Sequence, residues 1–417
     1  FRDRVDIRDF DTSQPLVSGT TDIGASIRAA ITSLGSTGGG GAAGTGGGEI
    51  YIPPGRWYVT KAVGDAYNTA VYVPDRVRVV GASKRGTLIM PGANNVVCFR
   101  MNGRCSAIEH LGIDNVGTTY TNTSGIRLAP DNEVGTAAQS DIEWCLVNNV
   151  SIRRMAEGLV LRPGPTGGWG DSYLFYNSFR DIEIGICTTG IWMKVPATAP
   201  GSGANGNWFS GIRIGETGSN TGLQIDAGGD NSFFGISFEG INSGVSPTAT
   251  PTALIIAANS ASYYTNHNRF YSARFESNTR DLTNSNETTR FIAPIYLNDS
   301  TKWSLPTGKY PIGDVDLGVA MGGTVTIASG GGTGDITVPN RQACILALTS
   351  DTNAAHYRLY GLAGDGTATI ALTSISDTSA GVLTAAGQTS TTVRITNNTG
   401  SSAVYQWGIR PLTQALE

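Results

Sequence analysis

Two glutamates occupy matching positions in a repeated sequence element. Glu239 directly follows Phe238, and Glu276 directly follows Phe275. A glycosidic bond can be cleaved by two carboxyl groups in different protonation states, one giving a proton and the other acting as base or nucleophile. If the two elements stack as neighbouring strands, equivalent residues lie about 4.8 Å apart, and their repulsion predicts that one pKa rises. The predicted chemistry is hydrolysis, with a spacing that favours a retaining reaction.

Other interpretations of the carboxylates stay open. The two glutamates could instead cap a turn or pair with Arg213 and Arg274. Asp226 is a third candidate catalytic residue, because it begins the short segment 226–230, whose longer counterparts in neighbouring repeats could wall a groove around it. Competing carboxylates lie one to two repeats earlier, at Asp171, Asp181 and Glu183.

Aromatic and basic residues near these carboxylates are candidates for contacting a sugar. Trp192 is predicted to point outward from a strand, where a bulky ring stacks on a sugar or packs against a neighbouring subunit. Arg213 and Arg274 could bind the carboxylate of an acidic sugar, with a surface salt bridge as the alternative. The predicted substrate-binding residues are Trp192, Arg213, Arg274, Trp169, Tyr173, Tyr263, Tyr264 and His267.

Two short elements recur along the middle of the chain and must position these residues. The first is a small residue followed by apolar, any and apolar residues, and its copies begin 31 to 33 residues apart at Gly125, Gly158, Gly190, Gly222 and Ala253. The second pairs an asparagine with a phenylalanine two residues later, at Asn177, Asn207, Asn231 and Asn268. Both alternate with the period of two that is typical of strands. The fixed period predicts a stacked β-solenoid over residues 49–295, with asparagines stacked at one corner, and an ordinary β-sandwich does not explain it.

The flanking segments have different patterns. Apolar residues recur at helical spacing from Ile23 to Leu34, with Thr21 or Asp22 as N-cap and Gly35 as the end of the helix. The Gly-rich segment that follows predicts a loop, since no Lys-Ser/Thr pair suits it to phosphate. The chain is therefore divided into residues 1–48, 49–295 and 296–417. Short β-rich runs and Gly-rich turns predict an antiparallel β-sandwich in the last of these.

Composition excludes several classes of protein. Of 417 residues, 56 are Gly and 15% are charged, which argues against a helical bundle. No apolar run is long enough for a membrane-spanning helix, and the net charge of -4 argues against nucleic-acid or anionic-lipid partners. The five cysteines lack C-x-x-C spacing and the three histidines are scattered, so neither a disulfide framework nor a metal or other cofactor is expected. Most cysteines are expected to be small buried groups.

Several stretches carry a family resemblance. Val5–Phe10, Thr21-Asp22 with the Ile-rich helix, and Gly48–Gly55 resemble the opening strand, capping helix and first full coil of bacteriophage tailspike proteins, within the pectate-lyase-like right-handed β-helix superfamily. Asp11-Thr12 departs from the small pair that usually follows the opening strand. Two later coils, ending at Phe238–Gly240 and Phe275–Asp281, are also similar to phage members. The resemblance covers roughly residues 1–295.

This resemblance implies an all-β fold: a right-handed parallel β-helix with an N-terminal capping helix and a C-terminal β-sandwich domain for trimerisation or carbohydrate binding. It implies a homotrimer on the phage virion, joined to the tail or baseplate through an N-terminal domain missing here. Because the chain opens without Met or a leader, a fragment of a longer protein is expected. The protein would be made in the bacterial cytoplasm and act at the host cell surface, without membrane insertion.

The expected function is to bind and depolymerise a bacterial capsular polysaccharide or O-antigen as a glycoside hydrolase. Two alternatives stay open. A β-elimination lyase of the same fold would need a Lys or Arg base and, in some members, calcium, for which no obvious Asp cluster is present. A receptor-binding adhesin would hold the polysaccharide without cutting it.

Overall fold

The computed structural model places most of the first 292 residues and the strands that follow them. The described residues are 4–10, 22–35, 47–116, 121–130, 141–164, 173–195, 203–215, 220–242, 250–258, 265–286, 289–292, 296–297, 303–304, 321–327, 332–337, 344–350, 357–363, 371–377, 383–389, 392–397 and 403–411. The chain divides into two compact units, Phe1–Thr289 with Pro294–Pro306, and Arg290–Ala293 with Thr307–Glu417.

The described part of the chain is almost entirely β-structure, with one α-helix, α1 (Gly24–Ser33), and a 3₁₀ turn at Ile7–Phe10. The strands up to residue 304 are β1 (Arg4–Asp6), β2 (Gly48–Ile52), β3 (Gly55–Val59), β4 (Thr69–Val73), β5 (Val77–Gly81), β6 (Thr87–Pro91), β7 (Val97–Met101), β8 (Ala107–Asp114), β9 (Ser124–Leu128), β10 (Ile142–Glu143), β11 (Leu146–Arg153), β12 (Glu157–Leu161), β13 (Leu174–Phe175), β14 (Ser178–Gly185), β15 (Thr189–Met193), β16 (Ala204–Asn205), β17 (Trp208–Gly215), β18 (Thr221–Ile225), β19 (Ser232–Phe234), β20 (Ser237–Glu239), β21 (Thr252–Ile256), β22 (Arg269–Tyr271), β23 (Arg274–Glu276), β24 (Arg280–Asn284), β25 (Arg290–Ile292), β26 (Tyr296–Leu297) and β27 (Trp303–Ser304).

The strands of the first unit form three parallel faces. Face 1 joins β1, β2, β5, the first halves of β8, β11, β14 and β17, and then β19 and β22. Face 2 joins β3, β6, the second halves of the same four long strands, and then β20, β23 and β26. Face 3 joins β4, β7, β9, β12, β15, β18, β21, β24 and β27, and a short sheet of β10, β13 and β16 precedes face 1. Because the chain visits faces 1, 2 and 3 in turn, each circuit is one coil of a parallel β-helix, as predicted.

One residue with positive φ forms the bend between face 1 and face 2 in each of six successive coils, from β8 to β23. Its φ lies between 47° and 62°. This left-handed region is uncommon for residues other than glycine. Successive coils place there His110, Asn149, Asp181, Gly211, Gly235 and Ser272.

The register confirms the predicted repeat. On face 3, Leu159 pairs with Ile126 and Ile191, and the alignment continues through Leu223 to Leu254. The glycines that begin this element lie where the chain is too crowded for a side chain. A Cβ at Gly158 would come within 2.4 Å of the Gly190 carbonyl oxygen. The small residue of the motif is therefore required by close packing.

The asparagines of the second element form a buried ladder at the corner before face 1, as the sequence predicts. Oδ1 of Asn207 accepts hydrogen bonds from the backbone N–H and Nδ2 of Asn177, both at 3.0 Å. Asn231 and Asn268 continue the pattern. Inside the ladder, the rings of Phe179, Phe209, Phe233 and Phe270 stack with centroids 4.4–4.6 Å apart. Backbone N–H groups at this corner, those of Cys145, Asn177, Asn207 and Asn231, therefore find partners in the asparagine of the next coil.

The helix α1 differs from its prediction at one end. Its N-cap is Ile23, which makes no capping hydrogen bond through its side chain, while the neighbouring Asp22 accepts a hydrogen bond from the N–H of Gly24 at 2.9 Å. Its far end follows the prediction, since Gly35 has a φ of 70°. Ile27 and Ile31 are buried, so the apolar stripe faces inward.

The second unit contains two antiparallel sheets. Strands β28 (Met321–Ile327), β30 (Cys344–Ser350), β31 (Tyr357–Ala363), β32 (Ala371–Asp377) and β35 (Ala403–Pro411) form one, in the order β28-β35-β30-β31-β32. Strands β29 (Gly332–Thr337), β33 (Leu383–Thr389) and β34 (Thr392–Asn397) form the other, in the order β29-β34-β33. The packing of the two sheets as a sandwich stays a prediction.

Two findings concern the predictions made from composition about membrane-spanning helices and cysteines. Among the described residues, no helix has the length and apolar character needed to cross a bilayer. Cys98, Cys145 and Cys187 are free and buried, whereas Cys105 is free and exposed. Burial raises the pKa of the Cys145 thiol to about 11, so this group is inert near neutral pH.

Candidate functional site

Face 2 presents two outward columns of polar residues along its later coils. Ser151, Glu183, Arg213, Ser237 and Arg274 are aligned in one column by the strand register. The adjacent column contains Arg153, Gly185, Gly215, Glu239 and Glu276. Buried Ile and Phe residues alternate with both columns, so the polar side chains must point outward.

The predicted glutamate pair lies in this second column. Glu239 and Glu276 are direct partners on neighbouring parallel strands, which places their main chains about 4.8 Å apart. Each glutamate also contacts an arginine that was predicted beside it. The guanidinium of Arg213 donates to Glu239 Oε2 at 3.1 and 2.8 Å, and Arg274 pairs with Glu276. The structure thus brings together four residues that the sequence nominated.

The electrostatics of Glu239 differ from the expectation. Burial raises its pKa, but hydrogen bonds from Ser237 and Arg213 lower it more, so the pKa lies below its ordinary value. The expected rise therefore does not occur at Glu239. The hydrogen bond from Ser237 and the ion pair with Arg213 on the preceding coil outweigh the effect of burial on this pKa. At neutral pH Glu239 is an ionised carboxylate, which suits a nucleophile or base and not a proton donor.

A depression lies beside Glu239 because two coils lack side chains in its column. Gly185 and Gly215 form its floor, and Ser151, Arg153, Glu183 and Arg213 surround it. Lys84 donates to Glu183 Oε1 at 2.9 Å. This contact, with Arg85 and Arg213 nearby, holds the pKa of Glu183 below its ordinary value despite burial. The depression therefore combines fixed anionic and cationic groups that can hydrogen-bond to hydroxyls.

In the coils that contain Gly215 and Glu239, the bend between face 1 and face 2 has no side chain. Gly211 and Gly235 occupy it with φ of 62° each. A Cβ at Gly235 would meet nothing within 4 Å, so solvent or a ligand can reach the backbone there. Nothing at these two positions separates the charged face 2 from the adjoining part of face 1.

Three aromatic rings form a ladder on that adjoining part of face 1. The ring centroids of Trp208 and Phe234 are 5.3 Å apart, and those of Phe234 and Tyr271 are 4.5 Å apart. Trp208 is 58% exposed. Sequence reasoning missed this aromatic ladder, although alternation from the buried Phe209, Phe233 and Phe270 places all three rings outward. Outward-facing rings offer apolar surface against which sugar rings can pack.

A second aromatic cluster surrounds the corner before face 1. Trp144 and Tyr176 stack with centroids 5.1 Å apart, and both are exposed. Tyr173, a predicted binding residue, stacks on Phe175 at 4.7 Å. The sequence therefore nominated one of the four rings in this cluster.

Trp192 and Asp226 lie on face 3 and not beside the glutamate pair. Trp192 Nε1 donates to Asp226 Oδ2 at 2.6 Å, and Gln224 donates to both oxygens of Asp226. The ammonium of Lys194 lies 3.9 Å from the centre of the Trp192 ring. Both predicted residues are thus engaged in a network within their own face, and a catalytic role for Asp226 stays a prediction.

The remaining predicted residues are placed as follows. His267 occupies the corner before face 1 with a φ of 55°, and its Nδ1 lies 3.7 Å from Oδ1 of Asp230. Trp169, Tyr263, Tyr264 and the competing Asp171 lie outside the described residues. Within the part of the chain that the structure describes, no three His, Cys, Asp or Glu side chains are grouped to hold a metal ion.

Comparisons with known proteins give structural similarity without sequence similarity. The sequence matches no protein-family model and no curated protein. Among solved structures, it is similar to ORF18 of Geobacillus virus E2, at 15% identity and a TM-score of 0.43, covering 90% of this chain and 76% of that one. It is similar to the tailspike protein of Acinetobacter phage vB_ApiP_P1, at 12% identity and a TM-score of 0.38, covering 98% and 87%.

A third similar structure comes from a bacterium. WceF of Pantoea stewartii, a glycan biofilm modifying enzyme with a bacteriophage tailspike-like parallel β-helix fold, is 12% identical with a TM-score of 0.30, covering 95% of this chain and 60% of that one. Bacteriophage tailspike proteins are thus among the structures that this chain resembles. At these identities and scores, the β-helix itself is established by the strand register described above.

Proposed function

We propose that this chain binds a bacterial surface polysaccharide, capsular or O-antigen, where face 1 meets face 2, and cleaves it by hydrolysis. One observation carries the proposal: the outward-facing aromatic ladder of Trp208, Phe234 and Tyr271 and the paired Glu239 and Glu276 lie on opposite sides of a bend that is bare at Gly211 and Gly235. Rings on one side supply stacking surfaces. Carboxylates on the other supply the groups that glycoside hydrolysis requires.

The two glutamates would take different roles. Glu239 is kept ionised by Arg213 and Ser237, so it acts as nucleophile or base. Glu276 would donate the proton once a bound sugar displaces Arg274 from it. The spacing of adjacent parallel strands, about 4.8 Å, is near the roughly 5–5.5 Å between carboxyl groups in retaining enzymes. The proposed reaction is therefore a retaining endo-hydrolysis.

A second candidate function, adhesion without cleavage, is favoured by one observation. Both glutamates are held in ion pairs, with Arg213 and with Arg274. A paired carboxylate is a poor proton donor. In that case the same surface would bind the polysaccharide and leave it intact.

The decisive experiment follows polymer length while the protein is incubated with purified host polysaccharide. Falling length in the wild type, with little change in Glu239→Gln and Glu276→Gln despite unchanged binding, supports the hydrolase. Full cleavage by both variants would show that Glu239 and Glu276 are not the catalytic residues. Shortening that yields an unsaturated, ultraviolet-absorbing product indicates a lyase. If the polysaccharide keeps its length with the wild type and with both variants, the adhesin function is supported.

The aromatic ladder has its own test. Trp208→Ala should weaken polysaccharide binding about tenfold, the effect of losing a stacking interaction of about 1–1.5 kcal/mol. Arg180→Ala, which removes an exposed side chain from the same face, is the control. Equal binding by Trp208→Ala and the wild type would place the polysaccharide elsewhere.

The proposal extends to assembly, following the family resemblance. Three copies would form a homotrimeric spike on the phage virion, joined to the tail through a segment outside this sequence. Light scattering checks the assembly directly, since a trimer has three times the mass of one chain.

A further inference from the structure

Face 3 carries a cleft that is separate from the surface described above. It has a volume of about 250 Å³ and lies over the early coils. Residues from several coils contribute to it, and those that matter here are Tyr67, Asn68, Asn95, Asn122, Arg127 and Glu157. Neither the glutamate pair nor Asp226 lines this cleft, so the cleft needs a separate account.

The floor of the cleft is a fixed pair of opposite charges. Glu157 Oε2 accepts hydrogen bonds from Ser124 at 2.7 Å and from Arg127 at 3.2 Å, and Lys194 pairs with the other oxygen. The side chains of Arg127 and Glu157 are 14% and 17% exposed. Burial raises the pKa of Glu157, but Lys194, Ser124 and Arg127 lower it more. An ionised carboxylate and a guanidinium therefore lie side by side at the base of the cleft.

The rim presents a pair of amides. Asn95 and Asn122 both have positive φ, 58° and 54°, a conformation that asparagine tolerates. Nδ2 of Asn122 donates to Oδ1 of Asn95 at 3.1 Å. Nδ2 of Asn95 and Oδ1 of Asn122 take no part in this hydrogen bond, and both side chains are exposed. The pair therefore offers donors and an acceptor to a ligand.

One wall of the cleft is an aromatic ring held in place from behind. The guanidinium of Arg100 lies 4.0 Å from the centre of the Tyr67 ring, and Arg100 is fully buried. Its Nε donates to the Ala129 carbonyl at 3.3 Å. A ring supported by a fixed cation has little freedom to move, so it forms a rigid surface for packing.

These features together select one class of ligand. A carboxylate, a guanidinium and amides on one small surface match adjacent hydroxyl groups, which both donate and accept. An anionic ligand would face Glu157, and a cationic one would face Arg127 and Lys194. The volume is below the roughly 300–1,000 Å³ of sites for drug-sized molecules. We propose that the face 3 cleft binds a single neutral sugar unit, independently of any cleavage on faces 1 and 2.

The experiment titrates the full chain with free glucose, galactose, mannose and N-acetylglucosamine, using saturation-transfer NMR. At least one sugar should bind, and Asn122→Ala should weaken it about fivefold to tenfold, as expected for the loss of one or two hydrogen bonds. Tyr67→Ala is a second variant that removes packing. Arg180→Ala, which removes an exposed side chain on face 1, is the control and should bind the same sugar as well as the wild type does.

Two sets of outcomes distinguish this site from the proposed cleavage surface. If the Asn122→Ala protein loses sugar binding but still shortens the polysaccharide, the result supports sugar binding in the cleft. This conclusion does not depend on whether the hydrolase proposal is correct. No binding by any of the four sugars overturns the inference, as does binding that weakens in Trp208→Ala and not in Asn122→Ala. A change of oligomeric mass in Asn122→Ala with unchanged sugar binding would show that the cleft is a subunit contact.

Discussion

Asn207 offers a stringent test of how the β-helix is held together. Its amide makes four hydrogen bonds in a fully buried position: from the backbone N–H and Nδ2 of Asn177, and to the Leu174 carbonyl and Asn231 Oδ1, at 2.9–3.1 Å. At about 1 kcal/mol each, these bonds contribute about 4 kcal/mol. Asn207→Ala also leaves the N–H of Asn177 and the carbonyl of Leu174 buried without these partners. We therefore expect a loss of about 4–6 kcal/mol.

The loss should be local, because each coil of a solenoid contacts only its neighbours. Hydrogen–deuterium exchange reads the opening free energy of individual segments. A loss of about 4 kcal/mol corresponds to roughly a thousandfold faster exchange in the coils around Asn177 and Asn207. Asn94→Ala is the matched control, since Asn94 is exposed and accepts a hydrogen bond from the Thr121 N–H at 2.8 Å. Its effect should be below about 1 kcal/mol.

The result that refutes this reasoning is a small change. An increase in exchange of less than about tenfold in Asn207→Ala, equivalent to about 1.4 kcal/mol, would mean that the amide ladder is dispensable. Stacking of Phe209 with its two neighbours would then have to hold the corner alone.

Two further predictions concern face 3. Gly158→Ala should destabilise the protein by about 1–3 kcal/mol in denaturant unfolding, because the new Cβ would lie 2.4 Å from the Gly190 carbonyl oxygen. Ala253→Gly, at the position where the same column already carries a Cβ, should cost less than about 1 kcal/mol, and equal effects would contradict the packing argument. The pKa of Glu157 is lowered from its ordinary 4.5, so its ionised form stabilises the folded state above that pH, and this contribution is lost as the pH falls through the lower folded value. The difference in unfolding free energy between the wild type and Glu157→Gln should therefore be constant near neutrality and shrink below pH 4.5, and a difference that grows on acidification would reverse the assigned sign.

The β-helix could be predicted because its restraints repeat. In four successive coils an asparagine lies at the same corner with an inward Phe two residues later, so Asn207 and Phe209 recur as Asn231 and Phe233. Two strands of the second unit, Gly332–Thr337 and Leu383–Thr389, are harder to predict because they are rich in Gly and Thr. Both strands pair with β34. Their sequences show little alternation of apolar and polar residues, so this pairing could not be predicted.

The candidate site was harder to predict than the fold. The alternation of residues along a strand shows which side chains point inward and which point outward, but it does not show how the outward side chains pair. It correctly turned Glu239 and Glu276 outward. It did not reveal that Asp226 is engaged with Trp192 on another face. Nor did it anticipate the lowered pKa of Glu239, which depends on Arg213 reaching across one coil.

The glycines at the bend between faces 1 and 2 connect the fold with the proposed function. The bend requires a positive φ, but it does not require glycine, since His110, Asn149 and Asp181 adopt the same conformation in other coils. Glycine at 211 and 235 is therefore not explained by backbone geometry. Its consequence is local: these two coils leave a bare strip between the rings of Trp208 and Phe234 and the charged groups of face 2. A sugar chain that contacts both sides needs such a strip, whereas a bend that serves only the fold does not.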